Sequence, residues 1–252
     1  RLFRDTSLIL DLLTSQHGIQ SAVVRGIRVG AQRHHERAAV AGFHRLTVDM
    51  VRRRSDGLAT MTAIEIDCAH HYVPVSHGAA LLAAQLAQEV AWRLLPAADP
   101  HLQSFQLLDQ LWHNLSQGEE PLVAISCWLV AFLHGIGYGW RMERCVGCGT
   151  TEALVYFSVR RGQPVCQLCG APWHDRLWPL SEPLRRVMAG LDRIVVDEEI
   201  KSVLPSTAEW WRLYQIGMAS LCQHGGVVLL GDIPFRQMVA KWGESMTGEH
   251  DK

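Results

Sequence analysis

The chain has 252 residues, of which 48% are hydrophobic and 19% charged, with 24 Lys+Arg against 25 Asp+Glu. That length suggests one or two domains, and that apolar content supports a sizeable core and argues against wholesale disorder. The balance is uneven along the chain: residues 1–60 carry a net charge of +5 and residues 61–252 a net charge of −6. A basic N-terminal part joined to an acidic remainder suggests a division of labour. The opening residues, Arg1-Leu2-Phe3-Arg4-Asp5, lead into no apolar core of the kind a secretory signal carries. The longest apolar run, Leu122 to Ile136, has 15 residues. It is short for a membrane span and reads as a buried helix. Seven cysteines are an odd number in a long chain. They argue against a disulfide framework and for a reducing, cytoplasmic setting.

The first 67 residues read as β-structure. Ser7–Thr14 is a short apolar run that ends at the His17-Gly18 turn signal, and Ile19–Ile27 is rich in β-branched residues. A polar, basic loop is expected over Arg28–Arg37. Phe43–Val51 alternates apolar and polar residues, Ser55-Asp56-Gly57 marks a turn, and Leu58–Ile66 alternates again. Four or five strands in so short a stretch suggest a small barrel or sandwich.

The remainder reads as helix. Leu82, Leu86, Val90 and Leu94 recur every four residues. Phe105, Leu108, Leu111, Trp112 and Leu115 keep helical spacing up to Gly118. Pro121 opens a third helix at the first-turn position, where its missing N–H costs nothing. Leu184, Val187, Met188 and Leu191 mark a fourth helix, Trp211, Tyr214, Met218 and Leu221 a fifth, and Phe235, Met238, Val239 and Trp242 a last one. Gly243–Lys252 read as frayed.

Cys145-Val146-Gly147-Cys148 and Cys166-Gln167-Leu168-Cys169 are two C-x-x-C pairs separated by 17 residues. That spacing falls within the zinc-ribbon pattern. Two such knuckles complete a tetrahedral S₄ site, and Val155–Val159 with the Arg161-Gly162-Gln163-Pro164 turn supply a hairpin between them. Four thiolates leave no open coordination position, so one structural zinc per chain is expected ahead of redox or metal-catalytic chemistry. A deaminase pattern fails: Val165 separates Pro164 from Cys166, and no His-x-Glu precedes the pair.

These stretches, taken in order, resemble the RecO DNA repair family. Arg4–Thr14 with His17-Gly18 resembles its opening strand and turn, and Val24-Arg25-Gly26-Ile27-Arg28 its second strand. Glu143–Gly149 and Phe157 through Cys169 resemble its zinc region, and Leu180-Ser181 fits the helix start that follows. The resemblance covers most of residues 1–190. It implies an α+β multidomain chain: an N-terminal OB-fold β-barrel (1–72), then an all-helical domain (73–252) with an embedded four-cysteine zinc ribbon or knuckle at about 143–175. It further implies a DNA-binding mediator of recombination that binds single- and double-stranded DNA, anneals complementary strands, and helps load recombinase with RecR and the tail of single-strand binding protein. Two stretches depart from the family pattern. His34-His35-Glu36 stands in the loop after Arg28, where small and basic residues are expected. Gly225–Gly231 lacks a Lys/Arg-bearing ending.

The residues themselves support a phosphate-binding surface. Arg25, Arg28, Arg33 and Arg37 flank one loop, and Arg52, Arg53 and Arg54 end a strand. Guanidinium groups there can take phosphates bidentately and release counterions. The competing reading is an ordinary solvated face, which is the favoured reading for Arg160 and Arg161 at the tip of the zinc hairpin. Stacking candidates are few: Phe3, Phe43 and Tyr72. Arg185, Arg186 and Arg212 are candidates for holding an acidic partner tail. The tryptophans at 92, 112, 128, 210 and 211 read as core, and Cys68, Cys127 and Cys222 as buried thiols. His70, His71 and His77 read as surface or core histidines rather than ligands. No phosphate-cradle, dinucleotide or nucleophile-elbow motif is present in the sequence. The expected protein is therefore a non-catalytic, cytoplasmic, nucleoid-associated mediator. Its rivals are an RNA- or transcription-associated OB/zinc-ribbon protein, an interaction module without DNA binding, and an enzyme braced by zinc.

Overall fold

The computed structural model describes residues 2–3, 5–29, 33–52, 58–70, 78–97, 99–190, 206–226 and 229–247. The chain divides into two compact units, residues 1–76 with 91–118, and residues 77–90 with 119–252.

In the first unit, strands β1 (Leu2–Phe3), β2 (Ser7–Thr14), β3 (Gly18–Val24), β4 (His44–Val51) and β5 (Ala59–Ala69) form one sheet in the order β1-β2-β3-β5-β4. Neighbours pair antiparallel except β3 and β5, which pair parallel through Ala22↔Ala59 and Val23↔Thr60. Parallel neighbours need a crossover, and here it runs through helix α1 (His34–Ala41) and β4. Five strands in this order make an OB-like sheet. It is not closed into a barrel: among the described residues no pairing joins β1 to β4.

Alternation explains the burial. Ala22, Val24, Ile27, Ala59 and Met61 form the core, flanked by Leu8, Leu10 and Leu12 of β2 and by Val48 and Met50 of β4. Along β2 these leucines fall at every second position, so they share one face. Helix α3 (Leu102–Ser116) packs against β2, and α1 against β4 and β5. The loop expected over Arg28–Arg37 is therefore helical from His34. The Ala38-Ala39-Val40-Ala41 run supplies helix-compatible side chains; Ala39 is buried and Val40 packs against the sheet core.

In the second unit the main helices are α2 (Gly78–Leu94, whose last turn belongs to the first unit), α4 (Pro121–Gly135), α6 (Glu182–Gly190), α7 (Thr207–Gly225) and α8 (Asp232–Thr247), with the short α5 (Gln167–Gly170) beside the cysteines. Helix α4 begins as its sequence dictates: the Glu120 carboxylate accepts from the Val123 N–H at 2.8 Å and Pro121 fills the first turn. It is buried on nearly every side and packs along α7. Ser206 caps α7, accepting from the Glu209 N–H at 3.3 Å, and Gly226 closes it with φ 61°. No helix among the described residues is long and apolar enough to cross a membrane.

Three expectations change. Gly243–Thr247 continue α8 rather than fray; 248–252 lie outside the described residues. Trp92 is 51% exposed, not core. It shares its helix face with the exposed Gln88, Gln85 and Leu81, four, seven and eleven residues back. Cys222 is exposed, while Cys127 is buried as expected and Cys68 is half-buried.

Candidate functional site

The four-cysteine centre is built on a hairpin. Strands β6 (Leu154–Ser158) and β7 (Gln163–Cys166) pair antiparallel, and β8 (Trp178–Pro179) adds to β6. The first knuckle closes where the Gly149 N–H donates to Cys145 O at 2.9 Å, with Gly149 at φ 78°. A Cβ at Gly147 would stand 2.9 Å from Cys169 Sγ, so the knuckles approach only over glycine. The second knuckle begins as β7 ends at Cys166 and turns into α5. The metal-binding atoms of Cys145, Cys148, Cys166 and Cys169 all lie within 4.8 Å of one another. Cys148 Sγ and Cys166 Sγ stand 3.7 Å apart. A tetrahedral zinc with Zn–S of about 2.3 Å implies sulfur edges of about 3.8 Å, so the donor set fits.

Backbone N–H groups converge on the sulfurs. Gly147 and Cys166 donate to Cys145 Sγ at 3.3 Å each, and Cys169 donates to Cys166 Sγ at 3.4 Å. Burial alone would raise the Cys145 thiol. Donation from the Cys166, Cys148 and Gly147 backbone outweighs burial and brings it down to about 6. Cys169 is pushed up to about 12 by hydrogen bonding with the Cys148 and Cys166 sulfurs, with burial adding to the shift. One thiolate is thus favoured while a neighbour keeps its proton; a divalent ion removes that conflict by holding all four as thiolates. The site packs under Leu154, Val165, Tyr156, Trp173 and Leu177, and a metal ion held by all four sulfurs there would have no open coordination position.

The arginines of the first unit gather at the exit from β3. Arg33 donates to Arg25 O at 2.9 Å, Arg37 to Ile27 O at 3.3 Å, and Arg28 to Asp5 O at 3.0 Å. Each bond fixes a guanidinium through a neutral carbonyl, which orients the group without cancelling its charge and leaves further N–H donors. Glu36 pairs with Arg33 at 3.0 Å. Arg37 also meets His34 Nδ1 at 3.0 Å. Arg25, Arg28 and Arg33 are exposed and Arg37 is half-buried. Arg52 is placed elsewhere, at the end of edge strand β4, donating to Gln20 Oε1 of β3 at 2.9 Å. Gln20 stands five residues before Arg25, roughly 16 Å along a strand. Arg53 and Arg54 lie outside the described residues, as do His71, Tyr72 and His77. Phe43 is no stacking platform: it is buried and packs edge-on to Trp112 at 5.3 Å.

One cluster escapes sequence reasoning. His70 is 2% exposed, and its Nε2 lies 2.9 Å from Asp109 Oδ1. Asp109 Oδ2 accepts from Arg45 at 2.7 Å, and Arg45 reaches Asp67 at 2.6 Å. Hydrogen bonding to Asp67, with Asp109 adding, raises the Arg45 pKa further. Asp109 is distant in sequence, so only its place in helix α3, on the Leu108–Leu111 face, could have suggested it.

In the second unit Arg185 and Arg186 converge on one carboxylate, Glu182, at 2.8 and 3.1 Å, and Arg185 also donates to Met142 O. Arg212 is half-buried on α7. A cavity of about 240 Å³ is lined by His134, Trp140, Arg141, Glu143 and Met188, among others. It is smaller than the roughly 300–1,000 Å³ of typical ligand pockets.

Comparison with known proteins decides the family. Residues 1–68 match the family described as Recombination protein O N terminal, and residues 76–221 the one described as Recombination protein O C terminal. The chain belongs to the RecO family. Its relatives include the DNA repair protein RecO of Bradyrhizobium sp. (strain BTAi1), 32% identical over 185 residues, which span 72% of this chain and 71% of that one. The DNA repair protein RecO of Chelativorans sp. (strain BNC1) is 32% identical over 182 residues, or 70% and 68% of the two chains. That of Brucella abortus (strain 2308) is 30% identical over 183 residues, or 70% and 69%. The OB-like sheet, the helical second unit and the four-cysteine centre are thus the architecture of a RecO protein of DNA repair and recombination.

Proposed function

We propose that this RecO protein is a non-catalytic recombination mediator. It binds single- and double-stranded DNA, anneals complementary strands, and helps load recombinase together with RecR and the tail of single-strand binding protein. Residues 1–72 carry the nucleic-acid surface. Residues 73–252, braced by one zinc held by Cys145, Cys148, Cys166 and Cys169 within about 143–175, carry the partner surface. Its setting is the bacterial cytoplasm, on the nucleoid.

The observation that carries this reading is the group of arginines at the β3 exit, anchored on the carbonyls of Arg25, Ile27 and Asp5. Guanidinium groups pre-oriented in this way take phosphates with little further ordering. Neutralising phosphates on two strands lowers the repulsion that opposes their pairing, and annealing follows. Arg52, Arg53 and Arg54 are a further group of candidate phosphate contacts. Arg185, Arg186 and Arg212 serve the acidic partner tail, with Glu182 as the internal anion that such a tail displaces.

The test is fluorescence anisotropy with labelled single-stranded DNA, duplex DNA and RNA of one sequence, alongside an annealing assay. The wild type is expected to bind both DNA forms and to speed annealing, and the Arg52→Ala, Arg53→Ala, Arg54→Ala triple variant to do both less well. Preference for RNA, or no binding to any of the three at low salt, would overturn the reading.

A further inference from the structure

We infer that the tip of the zinc hairpin is a second single-stranded DNA site, with Tyr138 and His224 as a base-stacking platform and Arg141, Arg160 and Arg161 as phosphate contacts. The inference rests on the DNA-binding reading above and adds a surface to it.

Three segments of the chain meet at this tip: residues 138–141, residues 158–162 and His224. Residues 158–162 form a tight turn in which the Arg161 and Gly162 N–H groups both donate to Ser158 O. On one side, the Arg141 N–H donates to Gly162 O at 3.0 Å, which joins the Arg141 backbone to the turn that carries Arg161. On the other, His224 Nε2 lies 3.4 Å from Val159 O, next to Arg160. The His224 ring stacks on Tyr138, with centroids 5.0 Å apart and planes at 15°. Tyr138 is itself fixed by its N–H, which donates to Leu133 O at 2.8 Å at the end of α4.

The composition suits one ligand class. Tyr138 is 42% exposed, a large aromatic ring left partly uncovered although its back is held by His224. Such a ring takes a nucleobase of any identity, because every base has a π-face. Arg141, Arg160 and Arg161 are exposed, and among the described residues no ion pair engages Arg141 or Arg161. Arg160 pairs with Asp175 at 3.0 Å. Glu143 lines a small cavity with Arg141. An acidic peptide would use the arginines but leave the aromatic platform idle. A single strand uses both, the backbone along the arginines and a base on the ring. A protein with this site and the β3-exit arginines holds two strands on one chain, as annealing requires.

The test uses full-length, zinc-loaded protein and a fluorescein-labelled oligo-dT, measured across a salt series. Tyr138→Ala is expected to weaken binding about tenfold with an unchanged salt slope, because stacking releases no counterions, while Tyr138→Phe retains affinity. Arg141→Ala with Arg161→Ala is expected to lower the slope by about 1.4, or roughly 0.7 per phosphate contact. Circular dichroism and zinc content establish that each variant is folded. Unchanged affinity in Tyr138→Ala and an unchanged slope in the arginine variant would overturn the site. Displacement of the DNA from wild type by an acidic peptide, with both variants still binding DNA normally, would overturn it too. The Arg25→Ala, Arg28→Ala variant, run in parallel, separates the two ideas. Loss in that variant alone removes the hairpin site and leaves the earlier reading standing. Loss in the hairpin variants alone keeps the hairpin site and removes the β3-exit arginines from the DNA interface, and a wild type that binds no oligo-dT removes both.

Discussion

His70 and Asp109 are joined by a 2.9 Å contact between Nε2 and Oδ1 that fastens the end of strand β5 to helix α3. The other oxygen of the same carboxylate holds Arg45 of β4, so one acid ties two strands to a helix within the first unit. Removing Asp109 would leave a buried imidazole without its acceptor and Arg45 without one of its anions. Asp109→Ala is expected to cost about 2–3 kcal/mol, and Asp109→Asn, which keeps an acceptor, about half of that. Urea unfolding midpoints check both; equal stability of Asp109→Ala and wild type would refute the tie.

Zinc removal tests the second unit. Purified protein is expected to carry about one zinc per chain by elemental analysis, because the four sulfurs fill a tetrahedron. Cys148→Ser and Cys166→Ser should each lose the metal, and a strong chelator should unfold the hairpin. The reason is energetic: the small cluster of Leu154, Val165 and the partly buried Tyr156 and Trp173 leaves the metal as the main brace. Metal-free protein with unchanged thermal unfolding would contradict this.

Glu182 gives a pH signature. Hydrogen bonds from Arg185, with a smaller contribution from Arg186, hold its carboxyl below the usual carboxylate range. The folded chain therefore takes up this proton less readily than the unfolded chain. The resulting stability is present above the ordinary glutamate value of about 4.3 and is lost as pH falls through the folded value. The Glu182 side chain is 50% exposed, so solvent screening limits the effect to about 0.5 kcal/mol. Urea midpoints of wild type and Glu182→Gln should differ at pH 6 and converge toward pH 3. A gap that stays constant over that range would assign the role to packing instead.

Gly18 closes the β2–β3 hairpin at φ 63°, and a Cβ there would come within 2.2 Å of Asp99 O. Both the backbone conformation and the backbone neighbour exclude a side chain. Gly18→Ala is expected to destabilise the first unit by about 2–3 kcal/mol, read from thermal unfolding, whereas Gly118→Ala, at φ 87° with nothing within 4 Å, should cost less.

The sequence made some of this legible for physical reasons. Ser7–Thr14 and the Pro121 helix start were readable because a short apolar run ended by a turn signal and a proline at the first turn are local signals, and the β2 strand has those bounds. The C-x-x-C pairs were readable because metal geometry constrains spacing. Helix α1 was hidden because its basic, polar start looks like a loop, and its alanine run carries little hydrophobic contrast. The Asp109–His70 tie and the Tyr138–His224 stack were hidden because both join residues remote in sequence, which no local period encodes. Trp92 and Cys222 were misplaced because helical spacing assigns a face but cannot say whether a neighbour covers it.

The most direct measurement is the salt dependence of single-stranded DNA binding by wild type and by the Arg25→Ala, Arg28→Ala, Arg33→Ala variant. The logarithm of affinity should fall linearly with the logarithm of salt for wild type, and the slope of the variant should be shallower by up to about 2. Identical slopes for the two proteins, with both folded, would remove the β3-exit arginines from the DNA interface.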